Sequence, residues 1–247
     1  MAQLINARAR GSVKAGRIVS LKGGIVAQTT EIAAVVLDMD GLMLDTESIY
    51  KRAWQNAAVQ CGYTLDDSFY LTLLGQPNPA CEAALLERFG GDFPIPEFRD
   101  HWSELWRTDV ESYGIPAKPG LAELLSFLGE HKIPIAVATS SDQDYATFSL
   151  WAAGLEGRFG HIVTGDQVVN GKPAPDIYIE SARRLGVAPE RCIAIEDSDA
   201  GALAAKAAGM ITIIVPDLKP PSAEARSVAF CVVASLLDAR NKIASLL

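Results

Sequence analysis

The apolar run Ile32-Ala33-Ala34-Val35-Val36-Leu37 ends abruptly in Asp38-Met39-Asp40-Gly41, and this junction limits the possible folds more than any other segment. A continuous, β-branched-rich apolar run reads as a strand buried on both faces. Such a strand belongs to a parallel sheet with helices above and below. On an extended backbone, residues two apart point the same way, so Asp38 and Asp40 address one volume. In open α/β sheets, ligands bind there, beyond the carboxyl ends of the strands. Two like charges in that place are costly unless a cation or a shared proton relieves them. Taken alone, the segment is equally compatible with a strand end followed by an Asp-Gly turn. Three later segments weigh against that simpler reading.

The chain changes character twice after Gly41. From Thr46 to about Cys61 a helix is expected, with Thr46 as N-cap, Glu47 in its first turn and Ile49, Ala53, Trp54, Ala57 and Ala58 on one stripe. Further helices are expected at about 66–74, 79–89 and 96–113, separated by Gly75-Gln76-Pro77, Gly90-Gly91 and Pro94-Ile95-Pro96. No strand is expected between Thr46 and Tyr113. From Gly114 strands and helices alternate. The strands are expected at 134–138, 161–164, 192–196, 211–215 and 229–233. The helices are expected from Lys118 to about His131 and at 142–153, 175–185, 198–208 and 235–245. Alternation of this kind means βαβ units and a parallel sheet. The fold class is therefore α/β, a Rossmann-like parallel sheet core with an inserted α-helical cap. The core is assigned to 31–46 and 114–247, and the cap to 47–113.

Composition narrows the partners. Net charge is −8, and no apolar run approaches the ~20 residues of a membrane span. An acidic surface disfavours nucleic acid and anionic membranes. Residues 1–30 run against this trend, with Arg8, Arg10, Lys14, Arg17 and Lys22 and no acid. They lack the apolar core of a secretory signal. A transit-like segment, a disordered tail and an upstream start all fit, and a poorly ordered leader is the expectation. Cys61, Cys81, Cys192 and Cys231 show no close pairing, as expected of reduced thiols in the cytoplasm. A monomer or weak dimer is expected.

The expected strand ends carry the chemistry. Asp38 and Asp40 end the first, and Thr139-Ser140-Ser141 follows Ile135–Ala138. Gly171-Lys172-Pro173-Ala174-Pro175-Asp176 comes after the third, and Ile195-Glu196-Asp197-Ser198 ends the fourth. Several carboxylate oxygens favour a hard divalent ion, hence Mg²⁺. The ion and Lys172 would neutralise a phosphoryl group, while the Thr139 hydroxyl and the Ser140 N–H bind its remaining oxygens. Phosphoryl transfer needs mainly positioning and charge stabilisation, and these parts supply both. One carboxylate can act as nucleophile and a second as general acid and base. Each segment also has an ordinary structural reading: a helix cap at Thr139–Ser141, a solvated loop lysine at Lys172, a dipole-favoured N-terminus at Glu196-Asp197. Their joint occurrence at strand ends argues for a site.

Together these motifs resemble the haloacid dehalogenase superfamily. The likeness is to its helical-cap branch, which includes β-phosphoglucomutase and small sugar-phosphate or pseudouridine-5′-phosphate phosphatases. It extends to Ala207-Ala208-Gly209-Met210 and Val215-Pro216-Asp217, covering Ile32 to the C-terminus. The resemblance implies that Asp38 is the phosphorylated nucleophile and Asp40 the general acid and base. Thr139 and Lys172 would hold the phosphoryl group. Mg²⁺ would sit on Asp38, the Asp40 backbone carbonyl and Asp197, with Glu196 close by.

Asp40 argues against dehalogenase chemistry, which does not need it. Mutases of this branch place a histidine in the first cap helix and an arginine after the cap's Gly turn, where this chain has Tyr50 and Asn78. Without the arginine a bisphosphate loses a bidentate clamp. A phosphatase for a small phosphorylated metabolite is thus expected, with a sugar phosphomutase as the alternative and a silent binding protein as a remote third. Glu47, Tyr50, Lys51, Gln76 and Asn78 are the cap candidates for substrate contact.

Overall fold

The structure, a computed structural model, describes residues 31–74 and 78–247. The basic leader and Gln76 lie outside the described residues. Six strands form one parallel sheet: β1 (Ala34–Leu37), β2 (Ile135–Ala138), β3 (His161–Val163), β4 (Cys192–Glu196), β5 (Ile211–Ile214) and β6 (Cys231–Val232). Their spatial order is β3-β2-β1-β4-β5-β6. The strand that ends in Asp38 therefore lies between β2 and β4. Leu37 is in register with Val137 on one side and Ile195 on the other, so the three strands end level. That register sets Asp38, Thr139 and Glu196 at one sheet edge, at the topological switch point where such sheets bind ligands.

Helices α1 (Thr46–Gln60), α2 (Asp67–Leu73), α3 (Asn78–Phe89) and α4 (Ile95–Tyr113) all fall between β1 and β2. The remaining helices, α5 (Leu121–Glu130), α6 (Gln143–Ala152), α7 (Asp176–Leu185), α8 (Asp199–Ala207), α9 (Ala223–Val228) and α10 (Leu236–Ala244), alternate with the strands. Alternation along β1 divides the core. Val35 and Leu37 face a layer containing Leu124 and Leu128 of α5, Leu150 of α6 and Ile243 of α10. Ala34 and Val36 face Ile177, Tyr178 and Ala182 of α7 with Ala204 and Ala205 of α8. Small residues on that second face let α7 and α8 come close, and each large apolar side chain so buried contributes about 1.5–3 kcal/mol.

The helical block has its own core of Ala57, Ala58, Leu65, Tyr70, Leu85, Phe93 and Phe98. Ile49 and Val110, on α1 and α4, instead join the core beneath the sheet. The chain enters and leaves the block through two adjacent segments. Gly41, at φ 78°, turns tightly, and its N–H donates to the Leu44 carbonyl at 2.9 Å. Leu44 then forms an antiparallel bridge with Ala117. The Lys118 N–H donates to Met43 at 2.8 Å and the Asp45 N–H to Pro116 at 2.9 Å.

Three expectations are corrected. Thr46 is the first residue of α1 rather than its cap: Asp45 precedes the helix without a side-chain capping bond, and Thr46 is buried. Helix α9 was not anticipated, although Ser222 caps it by accepting from the Ala225 N–H. Six residues are too few for a periodicity to show. The last strand is two residues long, Cys231–Val232, because it pairs only with β5 at the sheet edge. Among the described residues no helix is long and apolar enough to cross a membrane. Cys61, Cys192 and Cys231 are free thiols.

Candidate active site

Beyond the level ends of β1, β2 and β4 lies a cavity of about 550 Å³. Asp38, Asp40, Thr139, Ser140, Lys172 and Asp197 all line it, so residues from four distant segments converge as the sequence predicts. Lys172 comes from the loop after β3, and the Lys172–Pro173 peptide is cis. Its side chain is only 5% exposed and forms ion pairs with Asp38 Oδ1 and, at 2.6 Å, with Glu196 Oε1. Its ammonium also donates to the Ala138 carbonyl at 3.1 Å and lies 5.3 Å from the centroid of the Tyr178 ring. Burial works against the lysine charge, but Asp38 and Glu196 more than offset it and raise its pKa.

Glu196 is fully buried, and five donors satisfy its carboxylate. Oε1 accepts from Lys172 and from the Tyr178 hydroxyl at 2.5 Å. Oε2 accepts from the Ser198 hydroxyl at 2.9 Å and from the Asp197 and Ser198 N–H groups at 3.2 Å. The carboxyl packs directly on Gly201, where a Cβ would overlap its carbon and both oxygens. A Cβ at Gly41 would likewise overlap an Asp197 carboxylate oxygen.

Asp40 is held from three sides. Oδ2 accepts from Ser141 Oγ at 2.9 Å and Thr139 Oγ1 at 3.2 Å, and Oδ1 accepts from the Tyr145 hydroxyl at 3.2 Å. Burial raises its pKa, against the pull of Ser141, Thr46, Thr139 and Tyr145. A protonated acid is thereby favoured above the usual carboxylate range.

The acids carry more negative charge than Lys172 neutralises. Ligand oxygens of Asp38, Glu196 and Asp197 lie within 4.8 Å of one another. Burial pushes Asp38 upward, Lys172 pulls it back, and the like charges of Glu196 and Asp40 push it up again. Burial and the charges of Asp38 and Glu196 raise Asp197 well above its ordinary value. No hydrogen-bond donor among the described residues serves the Asp197 side chain. Crowded, half-satisfied carboxylates of this kind fit a hard divalent cation.

The cap candidates separate. Glu47 lines the cavity together with Leu74, Asp199, Asp217, Leu218 and Lys219. Burial first, then Asp40 and Asp217, push Glu47 up to about 7. Tyr50 does not line the cavity and stacks among Trp102, Trp106 and Tyr145. Lys51 also lies outside the cavity wall, because Asp67 holds it at 2.7 Å. Gln76 and the side chain of Asn78 are outside the described residues. Sequence reasoning gave no site role to Ser141, Tyr145, Tyr178 or Asp217. Ser141 and Asp217 stand inside recognised motifs, whereas Tyr145 and Tyr178 are marked by nothing local.

Residues 32–209 match the haloacid dehalogenase-like hydrolase family. The chain is 36% identical over 177 residues to the phosphorylated carbohydrates phosphatase of Thermotoga maritima, covering 72% of this chain and 82% of the relative. It is 34% identical over 219 residues to the probable pseudouridine-5′-phosphatase of Drosophila melanogaster, covering 84% and 91%. The crystal structure of a candidate β-phosphoglucomutase from Thermotoga maritima superposes with a TM-score of 0.75 at 31% identity, covering 87% of this chain and all of that one. The extent of these matches, together with the convergent acids and lysine at the sheet edge, shows that the chain belongs to the haloacid dehalogenase-like hydrolase family, as a hydrolase of the phosphatase type.

Proposed function

We propose that this chain is a Mg²⁺-dependent phosphatase of a small phosphorylated metabolite, a sugar phosphate or a nucleoside monophosphate, acting through an aspartyl phosphate on Asp38. The observation that carries this reading is the position of Lys172. It is buried between Asp38 and Glu196, with Asp197, unpaired among the described residues, beside them. Asp38, Asp197 and the Asp40 backbone carbonyl would hold the ion, which supplies charge neutralisation for the phosphoryl group. We assign Glu196 to holding Lys172, since five donors already occupy its oxygens.

An Asp38 carboxylate oxygen attacks phosphorus, and the bond from phosphorus to the ester oxygen breaks. Asp40 gives its proton to that departing oxygen. Asp40, now ionised, takes a proton from water, whose oxygen attacks the phosphorus. Inorganic phosphate leaves and Asp38 is restored. Lys172 and the Ser140 N–H bind the phosphoryl oxygens throughout, and the Thr139 hydroxyl turns from Asp40 Oδ2 to join them when the phosphoryl group is bound. The helical block excludes bulk water above the cavity.

The cavity wall beyond the phosphoryl end favours hydrolysis over mutation. It presents Glu47, Asp199 and Asp217 against Lys219 alone among the described residues. Hydroxyl groups of a sugar suit carboxylate acceptors, whereas a second phosphate meets net repulsion. The free thiols of Cys61, Cys192 and Cys231 suit a reducing, cytoplasmic setting. A monomer or weak dimer remains our expectation.

The test is a panel of sugar phosphates and nucleoside monophosphates, with 4-nitrophenyl phosphate as a generic ester, scored by released phosphate. Turnover should require Mg²⁺, stop in EDTA and fall at least about 10³-fold in Asp38→Asn. β-Glucose 1-phosphate with a bisphosphate primer should yield free phosphate. Accumulation of the 6-phosphate instead would establish the mutase, and turnover by Asp38→Asn would remove the covalent route.

A further inference from the structure

Tyr145 reaches Asp40 from outside the cavity. It lies in the first turn of α6, where its backbone N–H donates to the capping Asp142 carboxylate at 2.8 Å. Its ring packs in a triangle with two aromatic residues of the helical block. Trp106 of α4 stacks on it at 5.6 Å and 27°, and Tyr50 of α1 at 6.4 Å and 29°. Tyr50 and Trp106 stack on each other at 5.6 Å and 22°. Tyr145 has one hydroxyl proton and donates it to Asp40 Oδ1 at 3.2 Å. A line of packed groups thus runs from the helical block through Tyr145 to Asp40.

The carboxyl of Asp40 needs this second point of attachment. Ser141 and Thr139 both hold Oδ2, which fixes one oxygen but leaves the plane free to rotate about it. A donor on Oδ1 fixes the plane, and with it the direction in which a proton can be passed. We propose that Tyr145 is a positioning residue for the acid and base Asp40, and that Tyr50 supports it from the cap side. Tyr145 aims the carboxyl at the ester oxygen, and the stack with Tyr50 and Trp106 makes that aim depend on where the helical block sits. The inference rests on the phosphatase reading above.

Leaving-group dependence separates this role from simple packing. A nitrophenolate departs without a proton, whereas a sugar alkoxide must receive one. Tyr145→Phe keeps the ring stack and removes only the hydroxyl. Its kcat/KM should fall about tenfold for the best alkyl ester of the panel, the scale of one lost hydrogen bond. For 4-nitrophenyl phosphate it should stay within about twofold of wild type. Asp40→Asn should show the same preference enlarged to about 10²-fold. Tyr50→Leu, which removes the ring packed on Tyr145 and leaves the Tyr145 hydroxyl in place, should show it at about threefold, roughly half of one hydrogen bond.

Equal loss on both esters, or none on either, would overturn the proposal, as would an Asp40→Asn variant that treats both esters alike. If Tyr145→Phe fails to fold, as judged by thermal unfolding, Tyr50→Leu decides, since it removes the packed ring and leaves Tyr145 in place. Its failure to favour the aryl ester would then overturn the proposal. A wild-type enzyme that hydrolyses neither class of ester would defeat the phosphatase reading itself. Selective failure of the tyrosine variants leaves that reading intact.

Discussion

Gly201 shows how one missing side chain shapes this site. Glu196 can fold back over the start of α8 only because no Cβ stands at Gly201, and there it collects the donors that let it hold Lys172. Glu47 makes the opposite point, because its burial leaves it poorly served. Its carboxyl is pushed from 4.5 up to about 7, mainly by burial, then by Asp40 and Asp217. Between those values the folded protein keeps a proton that the unfolded chain releases, so stability falls as pH rises through that window. Below the window both states are protonated and the penalty is absent. Glu47→Gln should abolish it. In urea unfolding of the metal-free protein, the variant should gain on the order of 2 kcal/mol on wild type between pH 5 and pH 8. Parallel pH profiles in the two proteins would show that Glu47 ionises normally. At this scale the motifs gave Asp38, Asp40, Thr139 and Asp197 at recognisable strand ends, and Lys172 in the Gly-Lys-Pro segment of the loop after β3. Tyr145 was hidden, because 105 positions separate it from Asp40 and no local pattern links them.

Among the elements, the paired crossing segments connect the sheet to the helical block. Lys118 secures them from one side. It pairs with Asp217 at 2.5 Å and lies 3.7 Å from Asp45, so it ties the exit segment to the entry segment and to the loop after β5. That loop also touches the helical block: Lys219 donates to the Leu74 carbonyl at 3.2 Å, and Leu218 packs against the block's core. Lys118→Ala would leave the nearly buried Asp217 without its cation. We expect a loss of about 1–3 kcal/mol in unfolding free energy, read from a lower urea midpoint and largely restored in Lys118→Arg. An unchanged midpoint would mean that the backbone bridges alone hold the crossing. Most elements were legible in the sequence because both-face burial writes continuous apolar strands, and Gly and Pro mark the breaks. Short α9 was not, since six residues are too few to impose a period, while β6 falls inside the strand expected at 229–233 but is only two residues long.

For the molecule as a whole, the excess of buried negative charge at the sheet edge predicts that Mg²⁺ stabilises the fold. At a hundredfold its dissociation constant, the ion should add about 2.7 kcal/mol. Thermal unfolding with and without Mg²⁺ checks this independently of turnover. The shift should be present in the wild type and lost in Asp197→Asn; equal shifts in both would place the ion elsewhere. The α/β class follows from the sequence by itself, because burial on both faces and alternation of helix with strand are local consequences of residue type and order. The strand-end acids follow likewise. Only the tertiary structure decided that β1 lies between β2 and β4 in level register, that one Glu196 oxygen holds Lys172, and that Tyr145, packed on Tyr50, reaches Asp40. These are matters of which distant groups compete for the same few ångströms, and chain order does not encode the outcome of that competition in any local pattern.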